Sequence, residues 1–133
     1  MANTSYGGEI SGSGPQLTCY ADAVLTVGQP VEIVDNYKVA VPTSQASLNV
    51  VGYVKVANTA AGKDLTVAAR GNSVKTVTAC AAGVSVGAVV VNADGTYRNF
   101  DASYPGGGDS AGAIVGIALT EASGSGSFDM LQI

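Results

Sequence analysis

The sequence predicts an all-β domain that uses one β unit twice and carries an extended N-terminal arm. Short runs of β-branched residues alternate with a period of two, turn signals separate these runs, and no stretch keeps a capped 3.6-residue apolar period. The 133 residues suffice for one domain of ordinary size and are too few for two domains with separate cores. We therefore expect two domain parts, an arm over residues 1–18 and a single β domain over residues 19–133.

The arm is rich in Gly and Ser, and such a composition does not bury enough apolar surface to order itself. Its sizeable apolar side chains are Tyr6, Ile10 and Leu17, spaced as separate anchors. We expect the arm to contact neighbouring chains through these three residues and Glu9, with the segment around Ile10 adding as a strand to a sheet edge. The alternative is that the arm folds back on its own domain as a surface strap.

The strand pattern begins at Cys19. The predicted strands lie around Val31, Val50 to Val56, Leu65 and Val67, Val74 to Thr78, Val84 to Val90, Ile114 to Leu119, and Phe128 to Ile133. Turns are predicted at Asp35-Asn36, Ala61-Gly62-Lys63, Arg70-Gly71-Asn72 and the hairpin dipeptide Asp94-Gly95. Single helical turns fit Ala57 to Ala61 and Thr78 to Ala82.

Several strands also have an apolar second face, which a small domain rarely leaves in water. This pattern predicts self-association through residues on those faces: Val51, Tyr53, Val89, Val91, Val115, Ile117 and Leu119.

An internal repeat relates residues of about 21–70 to those of about 80–133. The segment from Thr26 to Val31 aligns with Ser85 to Val90, and both are followed by a turn Asp and a Tyr-Lys or Tyr-Arg pair. Val51-Gly52 then matches Val115-Gly116, and the second half has an insertion around residues 105–108. Neither half buries its apolar face alone, which favours one domain with pseudo-twofold character.

Composition excludes several functions. Without His there is no His general base, His-ligated zinc or Ser-His-Asp triad. Six Lys and Arg against ten Asp and Glu give a net charge of −4 without a basic cluster, so nucleic acid is not an expected partner. No apolar run is long enough for a membrane helix, and the N-terminus lacks the features of a Sec signal. We therefore expect no metal or cofactor and no membrane contact. We expect reduced, buried thiols at Cys19 and Cys80, and the alternative is the single disulfide that two cysteines allow.

Three enzyme-like or ion-binding patterns carry less weight. The hairpin from Asp94 to Arg98 resembles in part the nucleoside-binding hairpin of trimeric deoxyuridine triphosphatases, but Thr96 and Asn99 stand where that family has glycines, which favours a plain turn with an exposed Arg98. A calcium loop from Asn92 lacks its later carboxylates. Paired carboxylates for glycoside hydrolysis stay open if Asp94, Asp101 and Asp109 meet in space. We expect no catalytic residues and no enzymatic activity.

The order of motifs over most of residues 20–133 resembles the capsid decoration, or head cement, proteins of tailed bacteriophages. The motifs are Val27-Gly28-Gln29-Pro30-Val31, Val51-Gly52-Tyr53-Val54, Ala60-Ala61-Gly62, Gly71, Val86-Gly87-Ala88-Val89-Val90, Ile114 to Ala118 and the closing segment Phe128 to Ile133. The resemblance implies a small two-repeat β-barrel or β-tulip-like domain. It also implies a homotrimer that binds the major capsid protein on the outside of the phage head, after synthesis in the bacterial cytoplasm.

Low charge and many small residues are typical of a surface that other chains cover without desolvating ions. The function predicted first is therefore a structural virion protein that stabilises the assembled capsid. The alternative is a β-type adhesin or carbohydrate-binding module, which needs two or three exposed coplanar rings. The aromatic residues are scattered along the chain and no Trp is present, so the sequence favours the virion protein.

Overall fold

The computed structural model describes residues 15–71, 73–105 and 107–133 and confirms the all-β class. The strands are β1 (Gln16–Tyr20), β2 (Pro30–Asp35), β3 (Lys38–Ala40), β4 (Val50–Val56), β5 (Asp64–Ala69), β6 (Ser73–Thr78), β7 (Gly87–Val91), β8 (Tyr97–Asn99), β9 (Gly116–Ala118) and β10 (Ser127–Gln132). One 3-10 turn, Ala111–Ala113, precedes β9. None of the helical segments in the described ranges is long and apolar enough to cross a membrane.

The first five strands form a closed barrel in the order β1-β3-β2-β4-β5, with β5 returning to β1. The pairs are antiparallel except β1 with β3, which pair in parallel through Tyr20 and Lys38. Closure leaves no strand edge for an unwanted partner. We call residues 16–69 the first unit.

The other five strands form a curled sheet in the order β6-β10-β9-β7-β8, and we call residues 73–132 the second unit. If β6 to β10 are matched in chain order to β1 to β5, the strands of the sheet follow the same order as those of the barrel. The sheet is open between β6 and β8, where the barrel has the pair β1 and β3. A single parallel bridge, between Ala79 and Tyr97, spans that opening. The second unit is therefore a half-opened form of the first.

A tightly packed glycine lies at the same place in each unit, which explains the repeated Val-Gly step. A Cβ on Gly52 in β4 would overlap the backbone of Ala68 in β5. A Cβ on Gly116 in β9 would lie 2.6 Å from the carbonyl oxygen of Leu131 in β10. Only glycine lets these strands approach so closely.

Each unit has its own hydrophobic cluster, whereas chain length predicted a single core. The first cluster lies inside the barrel and comprises Cys19, Ala21, Leu25, Val31, Val39, Val54, Leu65 and Val67. The second comprises Val50, Val77, Ala79, Val84, Val89, Val91, Tyr97, Val115, Ala118, Phe128 and Met130. Val50 belongs to the first unit, so the two clusters meet at the boundary between the units.

Side chains and backbone hold the two units together. The Arg70 guanidinium donates to the carbonyl of Val50 at 3.2 Å in the first unit and to those of Ile114 and Ile133 at 3.0 Å each in the second. The Lys75 ammonium lies 3.7 Å from the centre of the Tyr53 ring, across the same boundary. These contacts fix the orientation of the half-open sheet on the barrel.

Some boundaries differ from the sequence expectations. Residues 16–18, assigned to the arm, lie in β1, where they pair with Ala68, Val67 and Thr66 of β5. The segments around Ala60 and Ala81 form hydrogen-bonded turns rather than helical turns, ending at Gly62 and Gly83 with left-handed φ values.

The predicted apolar outer faces are wrong for Val89, Val91 and Val115, because these residues are buried in the second cluster. The alternation expected in β7 fails because its other face is covered as well, so Val90 is also fully buried. Val90 pairs with Arg98, which lies beneath the loop that follows β8. Among the remaining outer-face residues, Leu119 is exposed, and Val51, Tyr53 and Ile117 are half-buried.

Candidate functional site

The aspartates considered as a catalytic pair each hold a loop. Asp94 accepts from the Thr96 backbone at 3.0 Å and from its hydroxyl at 2.6 Å, which lowers the pKa of Asp94 and confirms the predicted hairpin turn. Asp101 accepts from the Ser103 backbone at 2.9 Å and hydroxyl at 2.8 Å. Asp109 forms a buried ion pair. Asp109 is therefore engaged within the fold, whereas Asp94 and Asp101 both line the groove described below, and their pairing for catalysis stays a prediction.

The Asp109 ion pair is the most desolvated charged contact described. The two Asp109 oxygens accept from the Arg98 guanidinium at 2.6 and 2.8 Å, and 9% of the Arg98 side chain and 3% of that of Asp109 are exposed. Arg98 also lies 3.6 Å from the centre of the Tyr104 ring. Hydrogen bonding by Arg98 lowers the pKa of Asp109, and the same contact raises that of Arg98. The prediction that Arg98 is exposed is wrong, because Arg98 is buried in this ion pair, which anchors the inserted loop.

The loop and the hairpin border an open groove of about 820 Å³. Its lining is mostly small and polar, and Cys80 lies at its edge with its thiol 3.6 Å from the carbonyl of Gly83. Because the sequence has no His, no imidazole base activates this thiol. No group of three His, Cys, Asp or Glu able to hold a metal occurs among the residues the structure describes.

The two thiols are free, in line with the expected reduced state. Cys19 is buried in the barrel, and this burial raises the pKa of its thiol. Cys80 is only half-buried, so the expectation of two buried thiols holds for Cys19 alone.

Four of the described aromatic side chains make contacts within the fold. Tyr97 and Phe128 are buried, with their rings packed edge to face. The rings of Tyr53 and Tyr104 each have a cation over one face. These four rings are therefore engaged within the fold, and the carbohydrate-binding alternative stays a prediction.

An apolar groove of about 330 Å³ opens at the mouth of the barrel. Its apolar lining is Leu17, Ile33, Tyr37 and Val51, with the buried Cys19. The polar Asp35 and Asn36 of the neighbouring turn also line it. Tyr37 follows the Asp35-Asn36 turn with a φ of 53°, and its side chain is exposed. The sequence predicts Leu17 as a contact residue of the arm, and no local sequence pattern indicates the groove itself.

The expected arm contacts divide between two parts of the chain. Tyr6, Glu9 and Ile10 lie outside the described residues. Leu17 lies on β1 opposite Val67 and borders the apolar groove. Its role as a neighbour contact stays a prediction.

Sequence reasoning missed two polar residues that organise the fold. Arg70 was read as a turn residue, whereas it joins the units. Asn58 is buried and binds three backbone groups: it accepts from Leu25 at 3.0 Å and donates to Ala23 at 2.9 Å and Ala60 at 3.1 Å. The sequence gives one indication of this buried role of Asn58, its position as a single polar residue just after a strand rich in β-branched residues.

No protein-family model matches this sequence, and no curated protein matches it. Among solved structures, the chain is similar to the N base of the head fiber gp8.5 of bacteriophage phi29, with a TM-score of 0.60 and 14% sequence identity. The similarity covers 90% of this chain and 93% of that one. At this identity the likeness establishes a shared fold, and it extends over nearly the whole of both chains.

Proposed function

We propose that this chain is a structural virion protein of a tailed phage, which binds the outside of the assembled head and stabilises it. The observation that carries the proposal is the shared fold with the base of a phage head fiber over nine-tenths of the chain. The motif order that resembles head decoration proteins supports it independently. On this proposal the protein is a non-enzymatic homotrimer whose partner is the major capsid protein.

The surface supports an assembly role. Large apolar side chains are exposed on both units, including Val24, Val27, Leu48, Val56 and Val86. Burial of such side chains by another chain is favourable, and a capsid built from many identical subunits repeats each small contact many times. The buried ion pair of Arg98 and Asp109 is used inside the fold and not at the surface.

The N-terminal segment is proposed as the element that grips neighbouring chains. Residue 15 is the first that the structure describes, and its carbonyl accepts from Ala69 at 2.7 Å, at the rim of the barrel. Deletion of residues 1–14 leaves β1 and its pairing with β5 intact, so the free protein should keep its thermal stability. Occupancy on heads should fall sharply. Lost stability with retained binding would show that the segment is part of the fold only.

The experiment for head binding uses heads of the encoding phage that lack this protein. Purified full-length chain is mixed with these heads, the mixture is sedimented, and the bound copies per head are counted by quantitative mass spectrometry. We expect saturable binding and slower release of DNA from heated heads. Heads that already carry the protein serve as the control and should take up none. Absence of binding to empty positions would overturn the proposal.

A further inference from the structure

The groove at the barrel mouth has a counterpart in the second unit, and the counterpart is covered. The backbone N–H of Tyr20 donates to the carbonyl of Tyr37 at 2.9 Å, and that of Cys80 donates to the carbonyl of Tyr97 at 2.7 Å. Tyr37 and Tyr97 therefore occupy the same position in the two units. The Tyr37 side chain is 67% exposed, whereas that of Tyr97 is 4% exposed.

Two other groove residues show the same contrast. Leu17 and Val77 stand three residues before Tyr20 and Cys80, and they are 36% and 6% exposed. Val51 and Val115 precede the matched glycines, and Val51 is half-buried whereas Val115 is buried. Ile33 is outside this comparison, because the matched glycines Gly52 and Gly116 pair with Val31 and Val89, and both of these valines are buried.

The first unit covers the counterpart residues in the second. Val50 enters the second cluster, and the backbone N–H of Ala46 donates to the carbonyl of Val91 at 2.9 Å. The loop from Thr26 to Pro30 borders one crevice together with Tyr97. Burial, with a smaller contribution from the charge of Tyr53, raises the pKa of Tyr97. Within one chain, the first unit therefore already packs over the corresponding surface of the second unit.

We infer that the apolar groove of Leu17, Ile33, Tyr37 and Val51 is the seat of a second copy of this chain, which covers it with its second unit. The second unit has the matching element: Ile114-Val115-Gly116-Ile117 corresponds to Val50-Val51-Gly52-Tyr53, the strand that covers the second unit within the chain. Ile114 and Ile117 are half-buried and retain apolar surface for this contact. The proposed contact between two copies has the same form as the interface between the two units within one chain.

Such a contact joins different surfaces of the two copies. A head-to-tail contact of this kind closes into a ring when the rotation between copies permits it. The inference deepens the proposed assembly role and names its self-association surface. Its test is made in solution without heads, so that failure here and failure to bind heads are separate results.

The first experiment measures the association of the full chain by sedimentation velocity over a concentration series. The wild type should associate, and Tyr37→Asp should weaken association at least about tenfold. Val34→Asp is the matched control, because Val34 is also an exposed apolar residue but lies outside the groove lining. A monomeric wild type at every concentration, or equal effects of the two variants, would overturn the inference.

The second experiment identifies the occupant. The double variant Tyr37→Cys and Ile117→Cys should form disulfide-linked oligomers on mild oxidation, and the two single variants should not. Deletion of residues 1–14 should leave both the association and the cross-link in place. If the deletion abolishes both, the occupant is the N-terminal segment and the inference fails. If the cross-link forms only within monomers, a second copy is excluded as the occupant.

Discussion

Replacing Asp109 by Asn should destabilise the second unit strongly, because it leaves the Arg98 guanidinium buried without a carboxylate. The pair is bidentate, with distances of 2.6 and 2.8 Å, and its side chains are 9% and 3% exposed. Breaking one partner of a buried pair costs about 3–5 kcal/mol, and the remaining amide oxygen places Asn near the lower value. For a chain of this size that loss corresponds to a fall in Tm of roughly 10–15 °C.

The assay is chemical and thermal unfolding of the wild type and Asp109→Asn at neutral pH. Asp22→Asn is the control, since it makes the same change in the ion pair between Asp22 and Lys38, whose side chains are 71% and 28% exposed. That pair is exposed to solvent, so its loss should change the free energy of unfolding far less than loss of the buried pair. Adding Arg98→Met to Asp109→Asn should restore part of the loss, because no buried cation is then stranded.

The pH dependence of the free energy of unfolding independently checks that the pair of Arg98 and Asp109 stabilises the folded state. Because the folded-state pKa of Asp109 lies below its ordinary 3.8, the pair stabilises the fold above that pH and stops doing so as the pH falls through the folded value. The stability difference between wild type and Asp109→Asn should therefore shrink below about pH 4. A loss at neutral pH under about 1 kcal/mol, or a loss equal to that of Asp22→Asn, would refute the reasoning.

Three further outcomes follow from the packing. Gly52→Ala should lower the free energy of unfolding, measured by denaturant titration, by about 3 kcal/mol, because the added Cβ meets the backbone of β5. Gly126→Ala is the control and should change this free energy little, because the nearest atom to its Cβ is 3.8 Å away. Asn58→Ala should cost about 2–4 kcal/mol, since it leaves buried backbone groups unpaired, and a loss below about 1 kcal/mol by calorimetry would contradict this. Burial and the raised pKa of Cys19 should make its thiol react with iodoacetamide far more slowly than that of Cys80, as mass spectrometry of the native protein will show; equal rates would contradict it.

The fold class was predictable because strand and turn signals are local. The Asp94-Gly95 dipeptide needs only its own hairpin, and Gly95 indeed has a φ of 83°. The closely packed Gly52 was also visible as a repeated Val-Gly step. Such features depend on backbone geometry that neighbouring residues determine, so sequence patterns report them.

The sites were less predictable because they depend on contacts between distant parts of the chain. Arg98 and Asp109 are separated by a loop whose folding back was not encoded in any local pattern. Val89 and Val115 look like outer-face residues in their own strands, but they are core residues in a cluster built from distant parts of the second unit and from Val50 of the first. The exposed groove around Tyr37 was hidden for the same reason, since barrel closure determines which side chains face its mouth.

The proposed role on the phage head is tested most directly by cryo-electron microscopy of intact particles of the encoding phage, with and without this protein. The account predicts density of a closed barrel joined to a half-open sheet on the outer surface of the head, contacting the major capsid protein and missing from the deletion particles. Particles whose outer head surface is identical with and without the protein, or density for this fold only inside the head or on the tail, would contradict it.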